Sequence, residues 1–160
     1  MDNTALTKLS YGLFVLTARE GERDNGCIIS TAMQVTDTDP PFGIITLNKQ
    51  SFTHGMIIKT GKFNICTLTT GAGFDVFKLF GYASGADTDK FANHPNISRS
   101  ENGLIYLTNH ANSYLSFQVR GLTDFGTHTL FKGMVVDGQI LNNGESMTYA
   151  HYQQHVKPKI

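Results

Sequence analysis

Asn25 to Thr36 reads NGCIISTAMQVT, a strand-like run whose two faces differ in kind. Cys27, Ile29, Met33 and Val35 share one parity, interrupted only by Thr31. Ser30, Ala32, Gln34 and Thr36 share the other, which gives an apolar face and a face of small hydrogen-bonding residues. The small residues Ser30, Thr31 and Ala32 permit a planar ring to approach closely, and Gln34 offers both a donor and an acceptor. The same pattern also fits the solvated face of an amphipathic strand.

Outward from this stretch, β-type periodicity dominates. Tyr11 to Ala18, YGLFVLTA, is a nearly continuous apolar run and predicts a strand buried on both faces. Glu20 to Asn25 supplies a charged, glycine-containing hairpin turn between the two. After Pro40-Pro41, Phe42 to Asn48 is the third strand. Ser51 is placed to cap a short helix through about Thr60, with Phe52, Met56 and Ile57 for its buried side and Gly61 ending it. Lys62 to Thr69 resumes strand periodicity. Ala72 to Phe80 spaces Phe74, Phe77 and Phe80 as an aromatic helix face, with Gly81 as its stop, and Asn93 to Gly103 reads as an irregular loop. From Tyr114, Leu115, Phe117 and Val119 face one way and Ser116, Gln118 and Arg120 the other. Thr123 to Gly126 turns this strand into Thr127 to Val136, and Asp137-Gly138 makes a tight turn into Gln139 to Leu141.

Six or seven strands with two short helices and no repeated long crossovers predict a mainly β, antiparallel fold, a small closed or partly closed barrel. The 160 residues form one expected domain, 1–160, with the polar, His-rich tail from about residue 150 peripheral. Thirteen basic and thirteen acidic residues balance, so no electrostatic footprint for nucleic acid or an acidic membrane surface is present. No apolar run approaches the roughly 20 residues of a membrane span, and the start lacks the marks of a secretory signal. Cys27 and Cys66 read as buried free thiols of a reducing cytoplasm, a disulfide between neighbouring strands being the alternative.

Two further polar clusters accompany the first. In LNKQSFTH (Leu47 to His54), Asn48, Lys49, Ser51, Thr53 and His54 gather hydroxyls, an amide and a cation around a helix start, which suits an anion; capping by Ser51 alone would need no ligand. In FGYASGADTDKF (Phe80 to Phe91), Ser84, Gly85 and Lys90 form either a second anion contact or a surface loop. Together the clusters suit a flat polar ring carrying a phosphate, and flavin mononucleotide (FMN) is the molecule they point to. No dinucleotide fingerprint or P-loop is present. His128, between Thr127 and Thr129, reads either as a structural hydrogen-bonder or as a catalytic group. His151 and His155 have helical spacing near Glu145, but nothing completes a metal-ligand set, and a mobile tail fits equally.

Taken in order, YGLFVLTA, NGCIISTAMQVT before Pro-Pro, LNKQSFTH, FGYASGADTDKF and GTHTLFKGMVVD resemble the flavin reductase-like FMN-binding split β-barrel family over residues 5 to 152. Within it the likeness is to flavoredoxin-type proteins and the flavin domain of high-molecular-weight rubredoxins. The resemblance implies a Greek-key split barrel, a homodimer, and FMN near the subunit interface. It implies that Ser30, Thr31, Ala32, Met33 and Gln34 border the flavin ring. Asn48, Lys49, Ser51, Thr53 and His54 would then hold the ribityl chain and phosphate, and Ser84, Gly85 and Lys90 close the phosphate end. His128 matches a histidine near the flavin's reactive side, placed to position a nicotinamide or relay a proton. The implied activity is hydride acceptance from NAD(P)H, with electrons passed to free flavin, a rubredoxin-like protein or another acceptor. The alternatives are an electron carrier without a nicotinamide site and a cofactor-free interaction module. Two departures stand out: no Cys-x-x-Cys pairs follow, so an iron centre would belong to a separate partner, and Asp39 adds a residue before Pro40-Pro41.

Overall fold

In the computed structural model, which describes residues 1–160, nine strands form two antiparallel sheets. The large sheet has the order β2-β1-β5-β8-β9-β4-β3, from β1 (Phe14–Glu20), β2 (Arg23–Ile29), β3 (Ala32–Gln34), β4 (Phe42–Asn48), β5 (Lys62–Leu68), β8 (Ala111–Asp124) and β9 (His128–Ile140). A second pair, β6 (Ile97–Arg99) and β7 (Ile105–Leu107), lies apart from it.

One connection dictates the shape. β2 and β3 are consecutive in the chain yet occupy opposite edges of the seven-stranded sheet. Laid flat, seven strands would span about 29 Å, whereas the link from Ile29 to Ala32 reaches at most about 11 Å. The sheet must therefore curl until its edges approach. Past the crossing, the Thr46 N–H donates to the Thr31 carbonyl at 3.3 Å, and β3 pairs with β4. β2 and β3 share no ladder, so the barrel stays open along this seam. The expected split barrel is the fold observed.

Asn25 to Thr36 is consequently not one strand. Its first half packs inward through Ile29, while Met33 and Val35, expected on the same apolar face, are 61% and 56% exposed. The break at Ser30-Thr31 reverses the parity, and Ala32 becomes the inward residue.

Helix α1 (Phe52–Thr60) packs against the barrel interior, burying Met56 and Ile57 with Leu16, Ile45, Phe63 and Phe131. Gly61 ends it at φ 69°, the left-handed conformation that glycine adopts without a Cβ clash. A second core lies on the sheet's other face, where Val15, Cys66 and Tyr114 meet Phe77, Phe80, Ile105 and Leu107. β1 is thus covered on both sides, which explains the continuous apolar run. Thr17 Oγ1 donates to the Ile105 carbonyl at 2.6 Å, tying β7 onto this outer face.

Several local expectations shift. The first turn is confined to Gly21-Glu22, and Asp24 and Asn25 belong to β2, paired with Arg19 and Ala18. Gly81 does not stop the aromatic helix: α2 (Phe74–Phe77) runs into a π-helical turn, Lys78–Tyr82, closed by the Ala83 N–H on the Lys78 carbonyl at 3.2 Å. The expected loop after Asn93 contains β6. Asp137-Gly138 lies inside β9, which continues to Ile140 because one extra residue, Val136, is absorbed as a bulge opposite Ser116 and Phe117. The tail is folded: α3 (Tyr149–His151) continues as a second π-helical turn, Tyr152–Val156, and Tyr152 packs on Phe77 at 4.3 Å between ring centroids. Cys27 and Cys66 are free thiols, with β1 between their strands.

Gly43 and Gly133 face one another across β4 and β9, and both border the ring of Phe117, which stacks on Phe63 at 4.8 Å. A Cβ on Gly133 would lie 2.8 Å from Phe117 Cδ1. Gly133→Ala should therefore destabilise the fold by about 1–3 kcal/mol through overpacking. Denaturant unfolding checks this, and adding Phe117→Leu should recover part of the loss.

Candidate functional site

The open seam of the barrel is a cleft of about 460 Å³. β2 and the crossing residues Ser30 and Thr31 form one wall, and the end of β4 with the start of α1 forms the second. The segment from Phe80 to Lys90 closes the third, and His128 stands at the start of β9. The volume lies within the roughly 300–1,000 Å³ of small-molecule and cofactor sites.

Lys90 is the main electrostatic feature. It is 5% exposed, and its Nζ donates to the Gly26 carbonyl at 2.8 Å and the Phe80 carbonyl at 3.4 Å. No carboxylate pairs with it. Burial pushes its pKa below the ordinary lysine value of 10.5, with the nearby Cys27 acting weakly in the opposite sense. A buried cation held only by carbonyl dipoles is costly, and an anion in the cleft would offset that cost.

Beside it, Asn25 is 2% exposed; its Nδ2 donates to Thr53 Oγ1 at 2.9 Å, while its Oδ1 is buried without a partner. Gly85 lies so close that a Cβ there would fall 2.2 Å from Asn25 Oδ1, so only glycine lets the loop settle on β2. Arg23 clamps the loop by donating to the Gly85 carbonyl and sits 4.7 Å over the Phe52 ring. At the α1 start, Ser51 occupies the cap position without making a side-chain cap bond. The Phe52 and Thr53 N–H groups find no backbone carbonyl. Unpaired helix-start donors and a hydroxyl that makes no cap bond lie at the same cleft as a buried ammonium, a donor set that an anion would satisfy.

The cleft brings together Ser30, Thr31, Asn48, Ser51, Thr53, Ser84, Gly85, Lys90 and His128. Five other expected residues lie outside its lining. Ala32, Met33 and Gln34 border a separate apolar groove with Phe42 and Phe117, on the far side of the strand break. Lys49 turns to Asp124, 2.7 Å away across the β8–β9 hairpin. His54 bonds Thr129 Oγ1 through Nε2 at 2.8 Å and packs edge-on against Phe131, with its pKa lowered by burial first and by Lys49 second. His128 is exposed, and its Nδ1 is 2.8 Å from Thr127 Oγ1. Sequence reasoning missed Asn25, Cys27, Thr46, Phe52 and Tyr82. Of these, Asn25 carried a readable signal, a lone amide before glycine at the head of an apolar run.

The curled antiparallel sheet, left open at a polar seam, is the frame that known proteins share with this chain. The chain belongs to the flavin reductase like domain family, whose model matches residues 6–159. It is 42% identical over 154 residues to a high molecular weight rubredoxin of Moorella thermoacetica, covering 96% of this chain and 66% of that protein's length. It is 32% identical over 159 residues to a ferric-chelate reductase (NAD(P)H) of Archaeoglobus fulgidus, covering 99% and 93%. Among solved structures, an FMN-binding protein from Thermus thermophilus with bound 1-cyclohex-2-enone matches with a TM-score of 0.75 and 25% identity, over 84% of this chain and 72% of that one. The resemblance carried by the five motifs is therefore borne out.

His54 and His94 both have pKa values lowered chiefly by burial. Their neutral forms stabilise the fold fully above 6.5, the ordinary histidine value, and that contribution is lost as pH falls through the depressed folded values. Unfolding free energy should therefore drop on acidification below pH 6.5, before the carboxylates titrate. Chemical denaturation across this range should show a shallower drop in His54→Asn than in the wild type.

Proposed function

We propose that the cleft binds FMN and that the protein is an FMN-dependent oxidoreductase of the flavin reductase type. It accepts hydride from NAD(P)H and passes electrons to flavin, a rubredoxin-like protein or another acceptor. The observation that carries this reading is Lys90, a buried cation without a carboxylate partner, facing a seam beside the orphaned Asn25 Oδ1. Nucleic acid and an acidic membrane surface are not expected partners, since basic and acidic residues balance; no helix is long and apolar enough to cross a bilayer.

Bound FMN would supply the redox chemistry, taking up hydride and releasing electrons. Lys90, Ser51, Ser84 and the free N–H groups of Phe52 and Thr53 would hold its phosphate by charge-assisted hydrogen bonds. Asn25 Oδ1 would accept from a ligand hydroxyl, ending its isolation. Ser30 and Thr31, small and at the strand break, would let the ring approach the backbone. His128 keeps Nε2 free at the mouth of the cleft, where it would position the nicotinamide or hold a proton.

The outer surface supports a homodimer. Met33, Val35 and Leu122 are more than half exposed and border apolar grooves along β3, β4, β8 and β9. Two free thiols accord with a reducing cytoplasm.

Protein reconstituted with FMN should be yellow, and anaerobic stopped-flow with NADH or NADPH should bleach it within turnover times. Retained colour without bleaching would assign an electron carrier lacking a nicotinamide site. Lys90→Met should weaken FMN binding tenfold or more, about what loss of a charge-assisted hydrogen bond produces. Lys49→Ala, whose side chain turns away from the cleft to Asp124, should stay within about twofold of wild type on the same scale. Because the Lys90 pKa is depressed, FMN affinity should also decline with rising pH before 10.5 is reached. Equal affinity in Lys90→Met and wild type would remove the phosphate assignment.

A further inference from the structure

The tail after Thr148 folds back onto the outer core and carries two histidines outside the cleft. Thr148 caps α3 by accepting from the His151 N–H at 3.1 Å. The π-helical turn Tyr152–Val156 is closed by the Lys157 N–H on the Tyr152 carbonyl at 2.8 Å. Tyr152 is buried and Val156 packs partly against the same core, so this pair, four residues apart, fixes the turn from its inner side. His151 and His155 each stand one residue earlier with the same spacing, and they share the neighbouring face. His151 is half-buried and His155 is exposed.

The two rings lie 4.8 Å apart between centroids and are inclined at 44°. Of the six histidines in the chain, four engage a ring nitrogen in a hydrogen bond: His54 with Thr129, His94 with the Asn96 N–H, His110 with Asn109 and His128 with Thr127. His151 and His155 make no such bond, so their ring nitrogens are free to act as ligands. An ion bound to two imidazoles at about 2.0–2.1 Å, at square-planar to tetrahedral angles, sets their centroids about 4.5–5.2 Å apart. The observed separation falls inside that window.

We infer that His151 and His155 form a two-histidine site for a borderline divalent transition ion, Cu²⁺ ahead of Ni²⁺ and Zn²⁺ in the usual order of affinity. This site is independent of the flavin reading. The donor set decides the class of ion. No third histidine, cysteine or carboxylate joins the pair, and residues 146–160 contain neither Asp nor Glu. Hard ions such as Mg²⁺ and Ca²⁺ bind through oxygen and find no carboxylate here. Lys157 and Lys159, close in sequence, disfavour an ion held by charge alone, whereas neutral imidazole bonds a borderline ion through its nitrogen lone pair. A structural zinc site is closed by four protein ligands; with two, the remaining positions are open to water or to the donors of a small chelate. The ion therefore exchanges, and the fold does not depend on it.

The test uses the untagged full chain, without and with FMN. Zn²⁺ and Cu²⁺ binding is measured by isothermal titration in a non-chelating buffer for wild type, His151→Ala and His155→Ala, with far-UV circular dichroism to check the fold. Each substitution should weaken binding about tenfold or more, because the second imidazole no longer acts at high effective concentration. In wild type, NMR should show Zn²⁺ shifting the ring C–H signals of His151 and His155 together, at lower concentration than those of the other four histidines. A large excess of Mg²⁺ should leave these shifts in place. Unchanged affinity in either alanine variant would overturn the inference, as would parallel titration of all six histidines or displacement of Zn²⁺ by Mg²⁺. Should a variant lose its fold, the wild-type NMR titration decides alone.

Discussion

Ser30 and Thr31 carry the chain from one edge of a seven-stranded sheet to the other, a distance two residues cannot cover unless the sheet bends back on itself. Much else is arranged around that short passage. It forces the curl, holds β2 beside β4 without a ladder between them, and leaves a seam where backbone and small side chains face open space rather than another strand. Barrels usually remove their edges by closing completely. Here closure stops one strand short, and the unclosed strip is where polar chemistry collects.

Filling such a barrel requires large groups inside and room for them to turn. Phe63, Phe117 and Phe131 occupy the interior, and the Gly43–Gly133 pair creates the slot that Phe117 uses. Helix α1 covers Met56 and Ile57 against the same core, so its N-terminus is fixed relative to β2. Thr53, fully buried in the first turn, then meets Asn25 from the strand. The donors from β2 and α1 are therefore positioned by packed secondary structure, and those of the Phe80 to Lys90 loop are held to β2 by the Arg23 and Lys90 hydrogen bonds. A site that must grip an anion gains from this, because its hydrogen-bonding groups need no rearrangement on binding.

The electrostatics of the seam follow from its burial. Lys90 is withdrawn from water yet receives only carbonyl oxygens, and Asn25 Oδ1 receives nothing. A fold selected for stability alone would pair or remove such groups. Their persistence in one cleft, beside an uncommitted helix start, fits a surface whose polar complement arrives with a ligand.

The elements themselves were legible in the chain. The limits of β4, the helix from Phe52 to Thr60, its Gly61 stop and the long β8–β9 hairpin followed from periodicity and capping, because these depend on neighbours within a few residues. Nine cleft residues were also legible, since small, hydroxylic and cationic side chains cluster there in sequence as they do in space. What tertiary structure decided was direction and partnership. Lys49 and Lys90 are both plausible phosphate ligands in the sequence, yet one pairs with Asp124 across a hairpin and the other is buried under Phe80. Met33 and Val35 continue an apolar parity on paper, but the edge-to-edge passage at Ser30-Thr31 turns them outward. Local sequence sets what a segment prefers to be; which face of it meets a neighbour depends on how distant strands close, and that is a property of the whole sheet.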